Sequence, residues 1–68
     1  MKTGIIKMYN AQRGFGFIIE DETEDELFLN ASDLHPTARN KKLREGQRVK
    51  FDIRSDMKGD KAVNVRPA

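Results

Sequence analysis

The chain has 68 residues, no cysteine and a mean hydropathy of −0.75, which leaves room for one small core but not for a deep catalytic cleft and its supporting shell. Disulfides and thiolate metal sites are excluded, and no apolar run approaches the roughly 20 residues of a membrane span. Net charge is only +2, but six of the 11 acids crowd into residues 20–26, so the rest of the chain carries all 13 basic residues against five acids, an excess of eight positive charges.

Glycines and short polar clusters cut the chain into five short segments. The first, residues 3–9, holds Ile5, Ile6, Met8 and Tyr9. The second is residues 15–19 and the third residues 27–30. The fourth, residues 48–54, alternates: Val49, Phe51 and Ile53 lie on one face and Lys50, Asp52 and Arg54 on the other. The fifth, residues 62–66, carries Val63 and Val65. Many short strands separated by turn signals predict an all-β fold. A barrel is favoured over a sandwich, because 68 residues cannot supply two packed sheets and closure removes exposed edges. The core expected from this pattern is Ile6, Ile18, Leu27, Leu29, Val49, Phe51 and Val65. The acidic cluster and the Gly59-Asp60 pair read as hairpin turns.

Between the third and fourth strands, Pro36 and Gly46 bracket a segment whose one large apolar residue is Leu43. That stripe is too thin to dock a helix, so the segment reads as a long basic loop carrying Arg39, Lys41, Lys42 and Arg44. His35, beside Pro36, reads as a solvated loop residue. The acidic run lacks the alternating oxygen ligands and central glycine of a calcium loop and reads as a solvated turn that repels anionic partners from one side of the barrel. No constellation for catalysis, metal or cofactor emerges, and the chain is expected to be neither an enzyme nor a cofactor protein.

The informative run is Arg13-Gly14-Phe15-Gly16-Phe17-Ile18. Side chains alternate along a strand, so Phe15 and Phe17 share one face and Gly16 and Ile18 the other. In Leu27-Phe28-Leu29 the leucines form the natural inward pair, which sends Phe28 outward. If Ile18, Leu27 and Leu29 fill the interior, three phenylalanines face water together, and such a patch calls for a partner. Bases stack on such rings for roughly 1–3 kcal/mol each, whatever their sequence. The glycines between the aromatics are expected to leave room for a planar partner, and Arg13 to hold a phosphate or stack on a base.

Arg13-Gly14-Phe15-Gly16-Phe17-Ile18 resembles the first ribonucleoprotein motif, and Leu27-Phe28-Leu29-Asn30 the shorter second one. With the long motif first and helices absent, the chain resembles the bacterial cold-shock protein family. The likeness extends to Gly4-Ile5-Ile6-Lys7, Asn10, Ser32, the run from Leu43 to Phe51, Lys58-Gly59 and Ala62-Val63-Asn64-Val65. It implies a five-stranded antiparallel barrel of the OB type that binds single-stranded RNA or DNA and acts as an RNA chaperone without ATP. A cytoplasmic monomer, independent of membranes and small-molecule substrates, is expected. The family's binding positions fall on Lys7, Met8, Tyr9, Arg13, Phe15, Phe17, Phe28, Asn30 and Lys58.

Several positions depart from the family pattern. Met8 stands where Trp is usual, Asn30 where His is usual, and Ala31 where an aromatic is common; the loop aromatic of many members falls near Asn40. These changes imply fewer stacking subsites, more reliance on charge and weaker binding than in a typical member. Strand parity leaves the direction of Met8 undecided, since Ile6 shares its parity; its place beside the rings rests on the resemblance. The alternative reading is an OB barrel that has lost much of this platform and docks on a protein or ribosomal surface, because fold does not fix function.

Overall fold

In the computed structural model, which describes residues 1–38, 43–57 and 59–68, five strands form: β1 (Lys2–Asn10), β2 (Phe15–Glu20), β3 (Glu26–Asn30), β4 (Arg48–Asp56) and β5 (Gly59–Pro67). They close into the expected five-stranded barrel, in the order β1-β2-β3-β5-β4, with β4 pairing back onto β1. Four of the pairings are antiparallel, and β3–β5 is parallel. The one parallel pair is a necessity of closure. Directions cannot alternate all the way round a ring of five, so one neighbouring pair must run the same way.

The interior is filled by Ile6, Ile18, Leu27, Leu29, Leu34, Ala38, Leu43, Val49, Phe51, Ala62 and Val65. Every residue of the expected core is buried. Ala62 and Val65 lie three apart, so strict alternation would send them to opposite faces. A bulge absorbs the extra residue: the β4–β5 register slips between Lys50 and Asp52, and Asn64 in β5 takes a left-handed φ of 54°. Ile53 departs from expectation. Alternation puts it on the inward face with Val49 and Phe51, yet it is 37% exposed. β1 pairs β4 only between residues 48 and 51, so Ile53, although opposite buried Ala62, lies past the stretch of β4 that β1 covers.

The connection from β3 to β4 begins with two 3-10 turns, Ala31–Asp33 and Pro36–Ala38, where the sequence predicts an irregular loop. Ala38 and Leu43 anchor it in the core. Arg44 is exposed, whereas Arg39, Asn40, Lys41 and Lys42 lie outside the described residues.

Residues 21–26 of the acidic run are exposed, as expected, and only Glu20, the last residue of β2, is buried. Glu20 is buried, accepts a hydrogen bond from Thr23 Oγ1 at 2.5 Å, and has Lys2 Nζ 3.7 Å away. Next to it, Asp21 ties three strands together: its Oδ2 accepts from Thr3 Oγ1 (2.7 Å) and Arg48 Nη2 (2.6 Å), and its N–H donates to the Thr3 carbonyl. The Thr3 hydroxyl foremost, then Arg48, lowers the Asp21 pKa below the usual carboxylate value. A carboxylate with a depressed folded-state pKa stabilises the fold above its unfolded pKa, and that contribution is lost as pH falls through the folded value. Asp21→Asn is therefore expected to flatten the acid limb of the stability curve below about pH 4. Thermal melts of both proteins between neutral pH and acid check this; parallel curves would refute it.

Candidate nucleic-acid interface

The site follows from the pairing of β2 with β3. Ile18 lies opposite Leu27 and Gly16 opposite Leu29, all buried, so the alternate positions face out: Phe17 opposite Phe28, and Phe15 opposite Asn30. The three rings form one patch. Phe15 and Phe28 are stacked with centroids 6.3 Å apart and an interplanar angle of 13°. Phe17 meets both edge-on, at 6.2 and 5.8 Å. Phe28 is 38% exposed, while Phe15 and Phe17 are half-buried.

The β1–β2 register settles the direction of Met8. It slips by one residue between Ile6 and Met8, so Lys7 sits in a bulge. Ile6 pairs with inward Ile18, and Met8 pairs with outward Phe17. A thioether therefore extends the aromatic patch, and such sulfur packs well against ring edges and bases. Tyr9 goes the other way. It pairs with Gly16 in the inward row and packs partly against the core, apart from the three rings.

Gly16 has a different purpose from the one expected. A Cβ there would lie 2.5 Å from the Met8 carbonyl oxygen and 2.9 Å from Tyr9 Cδ1. It is buried and makes room for β1, not for a base on the outer face. Gly14, at φ 73°, closes the β1–β2 turn. Its N–H donates to the Asn10 carbonyl, and Asn10 Oδ1 accepts from the N–H groups of Gln12 and Arg13. This turn leaves the Arg13 side chain exposed.

The polar residues around the patch are partly committed. Lys7 Nζ lies 3.0 Å from Glu26 Oε2, with side chains 55% and 44% exposed. So open a pair is worth about 0–1 kcal/mol, and a phosphate can replace the carboxylate. The acidic turn thus reaches the edge of the patch rather than standing apart from it. Asn30 Oδ1 accepts from Ser32 N and Ser32 Oγ and caps the first 3-10 turn. Its amide nitrogen, not its carbonyl, is left for a ligand. Lys58 lies outside the described residues.

One neighbour of the patch is absent from the sequence-based set. Lys61 sits opposite Phe28 across the parallel β3–β5 pair, with Nζ 3.4 Å from Asp33 Oδ2. No local signal in the sequence points to it, because the two residues meet only on closure. Beside it an open groove of about 480 Å³ is lined by Phe28, Asn30, Asp56, Gly59, Asp60 and Lys61. Among the described residues, no helix is long and apolar enough to cross a membrane.

Residues 2–68 match the family model of the 'Cold-shock' DNA-binding domain. The chain belongs to the cold-shock domain family. Similar relatives include the cold shock protein CspC of Bacillus subtilis, 41% identical over the full length of both chains. Cold shock protein ScoF of Streptomyces coelicolor is 38% identical, again over all of both. Cold shock protein CspA of Staphylococcus aureus is 42% identical over 96% of each chain. Cold-shock domains are nucleic-acid-binding modules, and this member has the closed five-stranded barrel with Phe15, Phe17 and Phe28 on the outer face of β2 and β3.

Proposed function

We propose that this cold-shock domain binds single-stranded RNA or DNA by stacking bases on Phe15, Phe17 and Phe28, with Met8 extending the platform and Lys7, Arg13 and Lys58 holding phosphates. The observation that carries the reading is the three-ring patch on the outer face, costly in water unless a partner covers it and suited to any base because every base has a π-face. Tyr9 contributes from below, by holding β1 against β2. Asn30 serves through its amide nitrogen.

The domain works as a monomeric, ATP-independent RNA chaperone in the cytoplasm, without catalysis. A protein that binds the open strand better than the paired one shifts the melting equilibrium by that difference in affinity alone.

The test is a titration of a fluorescent oligonucleotide and of its duplex, each at two salt concentrations. Single strands are expected to bind more tightly, with log K falling against log salt by about 0.7 per phosphate neutralised. Equal affinity for strand and duplex at the same salt refutes the reading.

A further inference from the structure

Away from the rings, the outer face of β4 and β5 carries an arrangement the barrel does not need. The register sets Lys50 opposite Arg66, and Arg54 opposite Lys61. Like charges directly opposite one another across a sheet destabilise it, and here two such pairs share one strand pair. Arg48 lies on the same face of β4, two residues from Lys50. Arg48 and Lys61 are matched by Asp21 and Asp33, at 2.6 and 3.4 Å. Among the described residues no carboxylate lies within ion-pair reach of Lys50, Arg54 or Arg66, and Arg66 Nη2 meets Met1 Sδ at 3.0 Å. The acids of these strands are Asp52, which accepts from Asn64 Nδ2, and Asp56 and Asp60 towards the hairpin tip.

This face is continuous with the aromatic patch. Lys61 pairs with Phe28 on one side and Arg54 on the other, so one register row reads Met8, Phe17, Phe28, Lys61, Arg54 across all five strands. At about 4.8 Å per strand it spans roughly 19 Å. Its stacking groups stand at one end and its cations at the other. The outer face of β4–β5 has no aromatic ring, so it offers charge for a backbone and nothing for a base.

We propose that the outer face of β4–β5 is a second phosphate-binding surface, centred on Lys50, Arg54 and Arg66, which takes the backbone of the same single strand as it leaves the rings. The proposal rests on the platform reading above and lengthens its footprint without adding sequence preference.

The test compares the wild type with the triple variant Lys50→Gln, Arg54→Gln, Arg66→Gln on two oligothymidylates, of about six and about 15 nucleotides, near the two ends of OB-fold site sizes. The short strand covers the rings alone and is expected to bind both proteins equally, which excludes a mere effect of net charge. The long strand is expected to bind the variant several-fold more weakly at low salt. Its log–log salt slope should fall by about two, at roughly 0.7 for each phosphate no longer neutralised. The variant's melting temperature should equal or exceed that of the wild type, because the like-charge pairs are relieved. Unchanged long-strand affinity and slope overturn the proposal, as does a lowered melting temperature, which would make these cations structural. Failure of the wild type to bind the short strand refutes the platform instead, so the two failures are distinguishable.

Discussion

Phe51→Ala is expected to unfold most of the population at ambient temperature. Phe51 is fully buried and the largest side chain among the fully buried residues. Truncating a buried Phe costs about 3–5 kcal/mol through the transfer free energy forgone and the cavity left behind. A 68-residue domain has roughly 3–10 kcal/mol of stability in total. The site has little means of collapsing, because Phe51 is anchored on β4 between β1 and the bulged stretch of β5. A thermal melt by circular dichroism checks the outcome; a melting temperature within a few degrees of wild type would mean that the interior repacks around the gap.

Phe28→Ala is expected to do the opposite, leaving the melt nearly unchanged and cutting single-strand affinity by about 1–3 kcal/mol, the worth of one stacked base, or about five- to 150-fold. Phe17→Ala should lose a similar amount of binding. It should also lose more stability than Phe28→Ala, because its ring is half-buried whereas that of Phe28 is exposed. Met8→Trp provides the complementary gain: placed opposite Phe17 by the β1 bulge, a flat ring there should tighten binding without altering the fold. If Phe28→Ala melts the domain as Phe51→Ala does, the ring is structural and the platform is wrong. If both affinity and stability survive, the rings face a different partner, and the interaction-module reading takes over.

Strand periodicity, turn residues and burial preference are local properties, and what depends on them is legible from the residues alone. The five strands, the inward set from Ile6 to Val65, and the outward phenylalanines all follow from alternation with a period of two, given that a small barrel buries only one face. The resemblance to the cold-shock family rests on the order of the two Phe motifs together with the matching segments along nearly the whole chain.

Whatever depends on register was decided only in the tertiary structure, by bulges within the hairpins and by closure of the barrel. A bulge is one extra residue, invisible to a count of alternating side chains, yet it reverses parity for everything beyond it. So the slip at Lys7 turned Met8 outward and Tyr9 inward, and the bulge at Asn64 let Ala62 and Val65 share the core. Closing a ring of five strands forced β3 and β5 to run parallel, and that pairing brought Lys61 beside Phe28. The register of the β4–β5 hairpin, with its bulge, placed Lys50 against Arg66 and Arg54 against Lys61. These pairings join residues up to 33 positions apart, from Phe28 to Lys61, and at that separation no local propensity carries information about which side chains will meet.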